Sequence, residues 1–181
     1  MPMVQRKPKP LDAAALEAYG LKLLHARSLS VGELNERLRR RAAEPDDVPE
    51  ILAKFQRLGY LDDRRFAASY AASQLENRGA GKARVLRDLR RRRVGSALAQ
   101  KTVEKVYQDV DEIQLIRAFL ERKFRHVNLA QHLEDPKNLA SAYRKLRYAG
   151  FTTANCIRVL KTYSARAEEL EEDSDQDGGV A

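Results

Sequence analysis

The residues of this chain best suited to chemistry are arginines on one helical face. Lys82 to Arg93 reads as a helix. With Val85 set at zero and a turn of about 100° per residue, Val85, Leu89 and Leu86 fall near about 0°, 40° and 100°. Arg84, Arg87 and Arg91 fall near about 260°, 200° and 240°, on the opposite side. Three guanidinium forks in a row suit successive phosphates or a partner's carboxylates, each of which they can grip through two hydrogen bonds. The same pattern also describes a polar face that meets only water.

The remaining reactive residue types point to structure. His25, His126 and His132 show neither metal-ligand nor triad spacing. Asp62-Asp63 would suit a metal-dependent nuclease only with a further acidic partner, and helix capping accounts for the pair. Gly79-Ala80-Gly81-Lys82 echoes a phosphate loop but lacks the earlier glycine, the Ser or Thr after the lysine, and a preceding strand. Cys156 is the single cysteine, which excludes an internal disulfide and a cysteine-based zinc site. It falls on a repeated core position, so a buried, unreactive thiol is expected. No catalytic residue, metal ligand or cofactor site is assigned, and the chain is read as a protein other than an enzyme.

The elements that must position these arginines are helices. Ala, Leu, Arg, Glu and Lys dominate from Leu11 to Leu170, with no alternating strand pattern. Helices are expected near 11–26, 30–42, 46–58, 62–78, 81–92, 95–107, 110–126, 136–149 and 152–167. Ser30 with Glu33 forms a capping box; Asp46-Asp47 with Pro49, and Asp62-Asp63, mark two further starts. Gly59 and Gly150 stand just past helix ends, where a left-handed residue is wanted. Pro2, Pro8 and Pro10 make residues 1–10 an extended arm.

One helix–turn–helix pattern is written three times. Leu38, Leu89 and Leu146 serve as anchors. Four residues earlier stand Leu34, Val85 and Ala142; ten later, Val48, Ala99 and Cys156; fourteen later, Leu52, Val103 and Leu160; seventeen later, Phe55, Val106 and Tyr163. A longer helix precedes each copy. The expected architecture is therefore all-α, an elongated array of three tandem three-helix units over 11–60, 61–108 and 109–167. In this register Arg84, Arg87 and Arg91 correspond to Glu33, Glu36 and Arg40 in the first copy, and to Ser141, Arg144 and Tyr148 in the third. The position after each anchor is basic throughout: Arg39, Arg90 and Arg147. Those three could line the rim of the buried stripe, or simply cover it with aliphatic stems.

Charge narrows the partner. The chain carries 34 basic and 26 acidic residues, a net charge of +8. Seven of the acids lie in Glu168–Asp177; against the remaining 19, the rest of the chain is at +15. Such a body favours a polyanion, foremost nucleic acid, although charge also serves solubility. Residues 168–181 read as a disordered acidic tail. No apolar run approaches the roughly 18 residues that span a bilayer, and no secretory signal is seen, so a cytoplasmic protein without a membrane partner is expected.

Gly59-Tyr60-Leu61-Asp62-Asp63-Arg64-Arg65-Phe66-Ala67, then Arg78-Gly79-x-Gly81 and Leu86-x-x-Leu89-Arg90-x-x-x-Val94, resemble the RecX family. So do Tyr19 to Leu24 with Arg27, Ser30, Glu33-Leu34 and Leu38, and Gly150-Phe151 with Ile157 and Leu160. The resemblance covers roughly 12–165. It implies an array of three-helix units that binds within the groove of the RecA–single-stranded DNA filament, limits its growth, and dampens strand exchange and coprotease activity. Duplex DNA would be a weaker partner, and the chain would act as a monomer. Tyr60, Asp62, Asp63 and Phe66 would then be mainly architectural. Arg84, Arg87 and Arg91 would contact filament or DNA, with Arg90, Arg39, Arg40, Arg144 and Arg147 as further candidates. Two other readings stay open: a helix-turn-helix-like protein that binds DNA directly, and an adaptor that binds acidic proteins.

Overall fold

In a computed structural model, residues 9–168 and Leu170 are described. The arm before Lys9 and nearly all of the acidic tail lie outside the described residues. Among the described residues ten α-helices follow in order: α1 (Ala13–Ala26), α2 (Val31–Arg39), α3 (Asp47–Arg57), α4 (Asp63–Arg78), α5 (Lys82–Arg91), α6 (Ser96–Val106), α7 (Glu112–Lys123), α8 (Leu129–Leu133), α9 (Pro136–Ala149) and α10 (Thr153–Leu160). A 3-10 turn spans Ala165–Glu168. Among the described residues there is no strand; Leu11 and Ala42 form one isolated bridge. The fold is an all-α helical repeat.

The described residues form two compact bodies, 9–69 with Leu89–Ala99, and Tyr70–Asp88 with 100–168 and Leu170. The division falls inside α4, α5 and α6. In the first body Leu16, Leu34, Leu38, Val48 and Phe55 are fully buried in one cluster. In the second, Ile116, Leu120, Leu133, Ala142, Leu146, Cys156 and Leu160 are fully buried in another. Each large apolar side chain so buried stabilises the fold by about 1.5–3 kcal/mol.

All three anchors, Leu38, Leu89 and Leu146, are completely buried, as are Leu34, Val85 and Ala142 four residues before and Val48, Ala99 and Cys156 ten after. The last offset is fully buried only at Phe55; Tyr163 is partly covered in the third copy, and the second copy slips by one residue. Val106 is only partly covered, and its neighbour Tyr107 takes the interior place, donating its hydroxyl to the Ala80 carbonyl at 2.6 Å. Desolvation pushes the Tyr107 hydroxyl pKa up to about 12, so it stays a donor.

The copies also share one hydrogen-bonding device. The last carbonyls of a helix lack intrahelical donors. Three residues after the second anchor, the Arg92 carbonyl accepts from the Ser30 hydroxyl, eight residues before the first anchor. Three after the third anchor, the Ala149 carbonyl accepts at 2.8 Å from the Gly81 amide, eight before the second. The Arg41 carbonyl, three after the first anchor, accepts at 2.7 Å from the Leu11 amide instead. The next residue is left-handed in the last two copies, Arg93 at φ 61° and Gly150 at φ 92°.

Capping follows the sequence signals with four differences, the first at α3, where Asp46 stands at the N-cap but its side chain accepts no cap hydrogen bond. Ser30 and Glu33 form the capping box at α2. Asp62 caps α4, accepting from the Arg64 and Arg65 amides at 2.8 and 3.0 Å, and these bonds, the one from Arg65 foremost, hold its carboxyl below the ordinary range. Asp63 instead accepts from the Val31 amide at 2.8 Å, so it serves the start of α2; partial burial raises its pKa. A helix absent from the expectation, α8, fills 129–133. Asn128 caps it, and Asp135, extended before Pro136, ends it and restarts the chain as α9. The helix expected over 152–167 stops at Leu160, where the Thr162 hydroxyl turns back to the Val159 carbonyl at 2.7 Å.

Candidate functional site

The eight arginines singled out above divide between the two bodies. In the first body Arg39 and Arg40 are exposed on α2. Arg39 donates to Asn35 Oδ1 at 3.1 Å, and Arg40 pairs with Glu36 one turn back. Arg90 and Arg91 are exposed at the end of α5. The arginines that follow them are structural. Arg92 grips Glu33 with Nε and Nη2 at 3.2 and 3.1 Å, donates to the Ser28 carbonyl at 3.2 Å, and lies 4.6 Å from the centre of the Phe66 ring. Arg93 donates to Glu36 at 2.8 Å, and chiefly that bond lowers the Glu36 pKa. The acids that made the first copy's outer face look mixed are thus paired with the two arginines just beyond α5.

In the second body Arg84, Arg87, Arg144 and Arg147 occur together with further cations. The ends of α7 and α9 and the start of α5 enclose a groove of about 640 Å³. Its lining is Arg84, Phe119, Arg122, Lys123, Ser141, Arg144, Lys145, Tyr148 and Ala149. Five of these carry positive charge and none carries negative charge, so the groove favours anions over cations. Arg122, Lys123, Arg144 and Lys145 are exposed, while Arg84 is partly buried.

Several cations are held at their stems or on rings. Arg84 stacks 5.5 Å from the Tyr148 ring centre and stands 3.8 Å from Asp88, which in turn accepts from the Tyr70 hydroxyl at 3.2 Å. Arg122 lies 5.8 Å from the Phe119 ring and donates to the Arg78 carbonyl. Lys145 sits 5.0 Å from the Phe124 ring. Such contacts are worth about 0.5–1 kcal/mol each when exposed. They cut the side-chain freedom that binding would otherwise have to remove. Arg87 lies outside the lining and donates to the Tyr148 carbonyl at 3.3 Å; Arg147 donates to the Phe151 carbonyl at 2.7 Å and closes the end of α9.

The backbone that presents the groove is close-packed glycine. A Cβ on Gly81 would sit 2.3 Å from the Gly150 carbonyl oxygen, and one on Gly150 would sit 2.3 Å from the Arg84 amide nitrogen. Gly79 is left-handed at φ 56°. Gly79 thus makes the left-handed turn after α4, while Gly81 permits the backbone approach between the start of α5 and the end of α9 that sets Arg84 beside Tyr148.

Periodicity had marked Arg84, Arg144 and the positions of Ser141 and Tyr148. It missed Phe119, Arg122, Lys123 and Lys145. The available signal was the basic end of α7 (Arg122-Lys123) and the Arg144-Lys145 pair, but only packing shows that α7 and α9 turn them to one side.

Among the described residues, no group of three or more His, Cys, Asp or Glu is placed to hold a metal ion. His25 and His126 are exposed, and His132 is partly buried against Phe124, with ring centres 5.3 Å apart. Burial, foremost, raises the Cys156 thiol pKa to about 12, which keeps it protonated. None of the described helices is long and apolar enough to cross a membrane.

The fold and the groove define an all-helical repeat protein that offers a cationic, aromatic-bearing surface. The family profile described as RecX, second three-helix domain, matches residues 62–103. The chain is 34% identical over 148 residues to the regulatory protein RecX of Deinococcus radiodurans, covering 81% of this chain and 68% of that one. It is 26% identical over 134 residues to the regulatory protein RecX of Syntrophotalea carbinolica, covering 74% and 86%. Its fold matches the crystal structure of RecX from Lactobacillus salivarius with a TM-score of 0.66 at 16% identity, over 83% of this chain and 96% of that one. The chain belongs to the RecX family of regulatory proteins.

Proposed function

We propose that this chain regulates a RecA-type recombinase in the cytoplasm by binding the recombinase–single-stranded DNA filament as a monomer. It limits filament growth, strand exchange and coprotease activity. The observation that carries this reading is the 34% identity over 148 residues to a RecX regulatory protein. The cation-lined groove supports it, since a filament presents both a polyanion and protein carboxylates, and either suits guanidinium forks. The three-unit division at 11–60, 61–108 and 109–167 is part of the proposal. The equivalent bonds to the Arg92 and Ala149 carbonyls support it. Repeated elements contacting several subunits of one helical polymer gain through effective concentration, so modest single contacts suffice.

Titration of the full chain into a RecA ATPase assay on single-stranded DNA tests the reading. Inhibition at ratios well below one chain per recombinase subunit is expected. Unchanged ATPase activity at every ratio would refute it.

A further inference from the structure

Tyr148 stands apart from the other aromatic residues of its body. Phe151 is buried, and Phe119, Phe124, Tyr143 and Tyr163 are partly covered in or against the core, whereas Tyr148 is 74% exposed. Its position is nevertheless well held. The Tyr148 carbonyl accepts from Arg87, the neighbouring Ala149 carbonyl accepts from the Gly81 amide, and the Gly150 carbonyl accepts from the Ala83 amide at 3.2 Å. Arg84 packs against the ring. The last turn of α9 is therefore clamped to the start of α5, and the largely exposed ring lines the groove from that held base.

An open aromatic ring beside a row of cations suits an unpaired nucleobase and its flanking phosphates. A duplex keeps its bases stacked on one another and offers such a ring only phosphates and groove edges. A protein carboxylate would engage the cations and could accept from the Tyr148 hydroxyl, but it has no flat face to stack on the ring. We infer that Tyr148 is a stacking platform for one base of a single strand, with Arg144, Lys123 and Arg122 contacting the adjacent phosphates and Arg84 backing the ring. The groove thus discriminates single-stranded from duplex nucleic acid without any recombinase. The inference deepens the proposed function and rests on it only for the biological source of the strand.

The test uses the full chain, a fluorescein-labelled oligo-dT of about 16 nucleotides, a hairpin duplex of matched charge, and a second strand carrying 2-aminopurine. Tyr148→Ala should weaken binding to the strand roughly tenfold and abolish the quenching of 2-aminopurine. It should change duplex affinity less than about twofold, the residual phosphate contacts being unaltered. Tyr148→Phe should retain strand affinity, because stacking needs the ring and not the hydroxyl. Equal losses on strand and duplex, or no loss on either, would overturn the platform. The recombinase ATPase titration run beside it separates the two ideas. Inhibition by a chain whose strand binding ignores Tyr148→Ala refutes the platform and leaves the regulator. Tyr148-dependent stacking by a chain that never inhibits refutes the regulator and leaves the platform.

Discussion

Ser30 has no exposed surface, yet both of its hydrogen-bonding roles are satisfied. Its oxygen accepts from the Glu33 amide at 3.0 Å and its hydroxyl donates to the Arg92 carbonyl. Ser30→Ala removes the cap of α2 and strands a helix-terminal carbonyl, so a loss of about 1–3 kcal/mol is expected. Urea denaturation of the full chain would show it as a lowered midpoint at constant slope; an unmoved midpoint would contradict the assignment. The cap itself was legible, because a Ser-x-x-Glu pattern before an apolar helix has a local cause. The bond to Arg92 was not, because 62 residues separate the partners. The arginines show the same split. Periodicity put Arg84, Arg87 and Arg91 on one face. Only packing set Arg84 against Tyr148 and assigned Arg92 and Arg93 to Glu33 and Glu36.

At the scale of elements, the meeting of the start of α5 with the end of α9 within the second body depends on the absence of two side chains. Gly81→Ala forces a Cβ to 2.3 Å from the Gly150 carbonyl, where backbone must move on both sides. It is expected to destabilise the chain by about 1–3 kcal/mol or more, as overpacking does, and to lower affinity for a single strand because Tyr148 shifts with α9. A thermal melt and a strand-binding titration read the two effects; a variant with wild-type values in both would show that the approach is slack. Most helices were legible because their apolar spacing repeats over three turns. The five-residue α8 is too short for any period to register, and its existence depends on Asn128 and Asp135-Pro136 as punctuation. The break after Leu160 escaped for a related reason: the residues beyond it keep good helix formers, and a local hydroxyl-to-carbonyl bond overrides them.

For the molecule as a whole, the charge excess predicts that the proposed binding of a strand is strongly salt-dependent. Each phosphate neutralised on single-stranded nucleic acid contributes about 0.7 to the slope of log affinity against log salt. Replacing Lys123 and Arg144 together by alanine should make that slope shallower by about 1–1.5, with helicity retained because both side chains are exposed. Titrations of the full chain at several salt concentrations would reveal it. An unchanged slope would place the nucleic-acid contact elsewhere, with Arg39, Arg40, Arg90 and Arg91 of the first body the next surfaces to test.

The sequence by itself determined the helical class, the register of the buried anchors, the caps at Ser30 and Asp62, and an excess of positive charge. Each of these is written in local spacing or in composition, and neither needs a distant partner to be read. The tertiary structure decided which cations are spent on structure and which share a groove. That choice is made where α7, α9 and the start of α5 pack within one body, through contacts between residues far apart in the chain. Arg84 meets Tyr148 because glycine at 81 and 150 lets two backbones touch, while Arg122, Lys123, Arg144 and Lys145 line the same groove from α7 and α9.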